Sequence, residues 1–130
     1  MLEVEVIGAE GVPGAPTSSE TERLVAAVLE ATGTPGGHVA IEYVGAERIA
    51  ALNRGHRAKE GPTDVLSFPI DGPAAGLPPG ARELGDVVIC PQHTADLREA
   101  IVHGVLHLAG MDHELDDGEM LALQAEILGR

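Results

Sequence analysis

The eleven residues from His103 to His113, H-G-V-L-H-L-A-G-M-D-H, constrain this chain more than any other stretch. His103 and His107 are four residues apart, so on a helix they share one face a turn apart and both imidazoles can reach a single cation. Gly110 offers a positive-φ exit from that helix, and a turn there carries His113 round to the same point. Whatever the fold, it must supply a helix, a glycine-capped stop and a short return.

Three neutral imidazoles suit zinc, and on donor type alone nickel, copper or iron as well. One zinc ion per chain is the first expectation. Three protein ligands leave the fourth tetrahedral position to water, the mark of a catalytic site rather than a structural one. Zinc lowers the pKa of such a water to about 7, so hydrolysis is the natural reaction class. A pair of histidines four apart is common on ordinary helix faces. The third, set where the chain has to turn, is what makes a site, and half of the six histidines fall in this one stretch. The spacing also matches the metzincin protease pattern H-E-x-x-H-x-x-G-x-x-H, except that Gly104 stands where those enzymes carry the glutamate base. Asp112 and Glu114 flank the third histidine and are candidates for supporting it or for an ordinary acidic loop.

The rest of the chain sets bounds. At 130 residues with 44% hydrophobic content it reads as one domain, residues 1–130, with a single core. No apolar run approaches 18 residues and the N-terminus carries no secretion signal, so no membrane span is expected. A single cysteine, Cys90, cannot form an internal disulfide, and a reducing cytoplasm is the expected compartment. The formal charge of -13 disfavours indiscriminate nucleic-acid binding. Arg48, Arg54, Arg57 and Lys59 nevertheless place four of the eight basic residues within twelve, where an anion could bind locally.

Leu2 to Ile7 alternates apolar residues with Glu3 and Glu5, a half-buried strand. Ser19 with Glu22 reads as the capping box of a helix ending at Gly33. His38 to Val44 is a second strand, Ala46 to Asn53 a short helix, and Gly55 to Pro62 a polar loop that delivers Arg57. Asp64 to Pro69 and Gly85 to Cys90 are two more strands, separated by a proline- and glycine-rich connection over Asp71 to Gly80. Pro91 suits the first turn of a helix from Gln92 to Ala109. Asp116 and Asp117 then open a last helix. The expected architecture is α+β: a mixed sheet of about four strands with about four helices, and the histidine helix at a cleft. His56, directly before Arg57, and His93, at the start of the histidine helix, could each touch substrate but read best as surface or capping groups, and Cys90 reads as a buried small hydrophobe.

Three blocks taken together carry a resemblance: N-R-G-H-R-A-K-E-G-P-T-D-V-L-S-F-P (Asn53 to Pro69), L-G-D-V-V-I-C (Leu84 to Cys90) and the histidine stretch. In this order they resemble the YbeY family of bacterial endoribonucleases, single-domain metalloproteins of ribosomal RNA maturation and ribosome quality control. The resemblance implies that His103, His107 and His113 hold zinc and that Arg57 is the functionally essential arginine. It further implies single-stranded RNA as substrate and the ribosome or its proteins as partners. A guanidinium at Arg57 suits a phosphodiester, since it can meet phosphate oxygens in a bidentate fashion. Thr63 and Asp64 are expected to cap or pin the loop that holds Arg57. Two departures accompany the match: only twelve residues separate Cys90 from His103, a segment usually longer in the family, and Met111 stands where an aromatic residue is common. Two other functions fit the residues, a metallopeptidase and a non-enzymatic zinc-containing ribosome assembly factor.

Overall fold

The computed structural model describes residues 2–57, 61, 63–71 and 82–130. Along the chain come β1 (Glu3–Ile7), α1 (Ser18–Thr32), β2 (His38–Tyr43), α2 (Ala46–Arg57), β3 (Val65–Pro69), β4 (Glu83–Ile89), a 3-10 turn at Pro91–His93, α3 (Leu97–Leu108) and α4 (Glu119–Leu128). Apart from Asp71, the connection expected over Asp71 to Gly80 lies outside the described residues. The strands form one sheet in the order β1-β2-β4-β3. The first three are mutually parallel and β3 runs antiparallel to β4, so the sheet is mixed, as expected of this α+β chain.

Strand alternation decides which helix covers which face. Val39 and Ile41 of β2 and Val87 and Ile89 of β4 are fully buried against Leu24, Val25 and Val28 of α1 and Ile101 and Val105 of α3, with Met120 of α4 closing the layer. Val88, between Val87 and Ile89, must point the other way. There it joins Leu66, Cys90 and Ile49, the last brought in by α2. The histidine helix and the arginine helix therefore lie on opposite faces of the sheet, and they approach one another only past its β3 edge.

Several boundaries differ from the sequence expectation, each for a local reason. The cap of α1 is Thr17, whose hydroxyl accepts from Glu20 N–H at 3.1 Å. The T-x-x-E spacing thus works two residues before the expected Ser19 box. α3 starts at Leu97 and not at Gln92, because Thr94 Oγ1 donates to Cys90 O at 2.7 Å and Asp96 accepts from Glu99 N–H at 3.1 Å. These short polar side chains offer the backbone a break before the helix. At the start of α4, Asp116 accepts from Gly118 and Met120 N–H as expected, whereas Asp117 serves no such role and its own N–H donates to Glu119.

The largest difference concerns α2, which continues through Gly55 to Arg57, so that a helix rather than a loop carries the arginine. A helical glycine costs about 1 kcal/mol relative to alanine. Tertiary contacts outweigh it here: Asn53 is buried and donates to Gly61 O at 2.9 Å, and the His56 ring packs on Phe68 with centroids 4.3 Å apart.

Gly104 marks where α3 comes closest to the sheet. A Cβ there would sit 3.0 Å from Val87 Cγ2 and nearer still to Cγ1, and the Gly104 carbonyl accepts from Ser67 Oγ at 2.9 Å. The position is thus pressed against β3 and β4, and a glutamate has no room in it. Gly104→Ala gains about 1 kcal/mol of helix propensity but overpacks a stiff β-branched neighbour at a cost of about 1–3 kcal/mol. The expected result is a net loss of up to about 2 kcal/mol, seen as a lowered urea midpoint at unchanged m. A raised midpoint would show that α3 does not approach the sheet this closely.

β3 is an edge strand. Ile70 N–H donates to Leu84 O and Asp64 O accepts from Cys90 N–H, so the even-numbered residues face β4 and the backbone groups of Val65, Ser67 and Pro69 point outward. Val65 N–H is taken by Asp64 Oδ1 at 2.8 Å, and Pro69 has none to give.

Candidate metal centre

α3 presents His103 and His107 from the same face one turn apart, as their spacing requires. Gly110, at φ 99°, ends the helix in a Schellman motif in which Gly110 N–H donates to His107 O and Met111 N–H to Leu106 O. The chain then doubles back, and Asp112 Oδ1 accepts from Glu114 N–H at 2.9 Å to tighten the turn. Asp112 thereby braces the backbone that carries His113. The three ring centroids lie 4.9, 5.0 and 5.4 Å apart. One nitrogen from each ring falls within 4.8 Å of the other two, so the group could hold a metal ion.

The surroundings prepare these rings to be ligands. His103 Nδ1 lies 2.9 Å from Gln124 Oε1, and since an amide oxygen accepts, this bond favours the tautomer that donates from Nδ1 and leaves Nε2 available to a metal. Burial, and then the neighbouring His103 and His113, hold the His107 pKa below the usual histidine value. A lowered pKa keeps His107 neutral at pH 7, the form that binds metal. His113 Nδ1 is buried and finds no hydrogen-bond partner among the described residues, a costly state for a polar nitrogen that a cation would relieve.

A cleft of about 840 Å³ opens in front of the histidines, with β3 along its floor. Thr63 and Asp64 line it, and Asp64 Oδ1 accepts from both Thr63 Oγ1 and Val65 N–H, which pins the entry to β3 and not a loop around Arg57, since Arg57 is helical. Asp112 and Glu114 stand on its rim. Arg57 is the last helical residue of α2, and its side chain is outside what the structure describes.

Sequence reasoning missed one residue here. Gln124 was visible only as a polar residue one helical turn after the buried Met120, on the face that α4 turns toward α3. His56, expected on the surface, is exposed but lines the same cleft as the three histidines. The other two histidines lie away from it. His93 is exposed in the 3-10 turn, and His38 sits between Glu83 at 2.7 Å and Glu5 at 3.3 Å, with its pKa raised chiefly by the Glu83 hydrogen bond.

Comparison with known proteins agrees with this geometry. Residues 12–130 match the family model described as Endoribonuclease YbeY. A protein named Endoribonuclease YbeY from Alcanivorax borkumensis is 36% identical over 93% of this chain and 76% of its own length. One of the same name from Thermobifida fusca is 36% identical over 98% and 92% respectively. The solution structure of TM1509 from Thermotoga maritima superposes with a TM-score of 0.50 at 25% identity, covering 96% of this chain and 86% of that one. With a family match across nearly all the elements just described, and the three histidines gathered at one point, the chain belongs to the YbeY endoribonuclease family.

Proposed function

We propose that this protein is a zinc-dependent endoribonuclease that cuts single-stranded RNA, with residues 1–130 acting as one domain. Its place is the cytoplasm and its substrate precursor ribosomal RNA, handled during ribosome maturation and quality control. The observation that carries the reading is the set of three imidazole nitrogens within 4.8 Å of one another at the wall of an open cleft. Its support also comes from relatives that bear the endoribonuclease name. A formal charge of -13 means that free RNA is held weakly. Delivery of the substrate by a ribosomal protein fits that charge better than capture from solution.

His103, His107 and His113 would hold the ion, and their neutral nitrogen donors fit zinc. Bound there, zinc would supply Lewis acidity beside the scissile phosphate. The chain's residues do the rest. Gln124 fixes the His103 ring. Arg57, delivered by the end of α2, is the partner for the scissile phosphate and offsets charge growing on its oxygens. No carboxylate fits at Gly104, which removes the protease-type base. The nucleophile in this reading is the substrate's own 2′-hydroxyl: its oxygen bonds to phosphorus as the bond to the 5′-oxygen breaks, its proton passes to solvent, and the departing 5′-oxygen takes one up.

That last point sets the test. Zinc-loaded protein is offered a labelled single-stranded RNA, the DNA of the same sequence and a fully 2′-O-methylated RNA, before and after chelation. The expected result is cleavage of the RNA alone, stopped by the chelator and restored by added zinc. DNA cut at a similar rate would remove the 2′-hydroxyl from the reaction. A zinc-loaded protein that cuts nothing would favour the assembly-factor reading.

A further inference from the structure

Aromatic side chains are scarce in this chain: one phenylalanine, one tyrosine and no tryptophan. Tyr43 is buried in the main core. Phe68, by contrast, is only partly buried. One side of it packs against the cluster of Ile49, Leu66, Val88 and Cys90. Its ring also meets the imidazole of His56, centroids 4.3 Å apart and planes tilted by 43°. His56 itself is exposed, and no hydrogen bond engages its ring nitrogens among the described residues. A flat ring is thus held from behind by a core-anchored aromatic, at a point that lines the same cleft as the three metal-site histidines.

We propose that the exposed face of His56, braced by Phe68, is the seat on which one nucleobase of a single-stranded RNA stacks when its backbone lies in the cleft. The proposal rests on the endoribonuclease reading for its ligand. Recognition of single strands relies on aromatic faces because every base has a π surface, whatever the sequence. Electrostatics argue for the same solution. Asp64, Asp112 and Glu114 line this cleft and the net charge is -13, so phosphate attraction beyond that of Arg57 and the bound cation contributes little. Stacking does not depend on counterion release, and an acidic protein can use it where a basic one would rely on phosphates. A duplex, whose bases are already stacked, could not occupy the seat, so the residue selects for unpaired RNA.

The test measures binding apart from cleavage. A 2′-O-methylated single strand carrying 2-aminopurine is titrated, by anisotropy and by fluorescence quenching, into zinc-loaded full-length protein and its His56→Ala and His56→Phe variants at several salt concentrations. His56→Ala is expected to weaken binding about 5- to 150-fold, the range of stacking at other single-strand binders. The loss should be equal at every salt concentration, and the quenching should vanish. His56→Phe should bind within about 3-fold of the parent and keep the quenching, since a phenyl face stacks as well as an imidazole. Unchanged binding by His56→Ala would overturn the proposal, and so would a parent that does not bind the strand. A His56→Phe variant as weak as His56→Ala would also overturn it, since a ring nitrogen and not the ring face would then be the contact. Cleavage by the same proteins separates this idea from the one beneath it. If the parent cuts no RNA but His56→Ala still weakens binding, the seat stands and the endoribonuclease reading falls. If RNA is cut with the same KM by parent and His56→Ala, the seat falls and the enzyme remains.

Discussion

His107→Ala is expected to lower single-turnover RNA cleavage by about 10³-fold or more and to leave the protein without stoichiometric zinc. His107 faces both other rings, with centroids 4.9 Å from His103 and 5.4 Å from His113, so its loss leaves two ligands and no closed site. Lewis-acid and nucleophile activation by a metal are worth several kcal/mol. At 1.36 kcal/mol per tenfold, that is about three orders of magnitude. Two readouts separate this from simple misfolding. Zinc content by elemental analysis should fall to a trace. In thermal unfolding, zinc at about 100 times its Kd should stabilise the parent by about 2.7 kcal/mol and the variant hardly at all. The sign of the pH effect follows from the lowered His107 pKa: His107 stays neutral at pH 7, and occupancy falls only as protons compete for it at lower pH. A variant that keeps one zinc and cuts RNA at the parental rate would end the three-histidine assignment.

Arg57→Ala is expected to cost about 10² to 10³ in kcat with zinc content unchanged, the scale seen when one donor to a developing oxyanion is removed. If Arg57 acts on the transition state, kcat falls while KM moves little. If it only helps to hold RNA, the loss appears in KM alone and the assigned role is wrong. Arg57→Lys sharpens the distinction, because lysine keeps the charge but not the two-pronged donor geometry. It should recover only part of the rate. A full recovery would show that charge suffices.

Much of this was legible in the sequence, and what was not has a physical reason. The i, i+4 histidines and Gly110 encode the metal site locally, since helix periodicity and a positive-φ cap determine where the three rings go. The four strands followed from alternation and from short apolar runs. Helix ends were harder, because local propensity competes with contacts from elsewhere in the chain. Gly55 argued for a stop, but Asn53 bonding Gly61 and His56 packing on Phe68 kept α2 going to Arg57. His38 had no visible partner, since Glu83 lies 45 residues away in sequence and arrives only when β4 pairs with β2. The missing base at position 104 was the most instructive puzzle. In the sequence it was a departure from a protease pattern, and in the fold it is the contact that lets α3 lie on Val87.

The edge of β3 has its own consequence. A polypeptide entering a cleft floored by a strand gains affinity by extending the sheet, which needs a regular row of amides to bond. The outward row of β3 is poor in donors: among the described residues the Val65 amide is taken by Asp64, Pro69 has none and the Ser67 amide remains, while the carbonyls of Val65, Ser67 and Pro69 still face outward. An incoming peptide would find acceptors for its own amides but a single donor for its carbonyls, so half of the usual ladder is lacking. The edge thereby disfavours sheet extension by a peptide without a bulky side chain to block it.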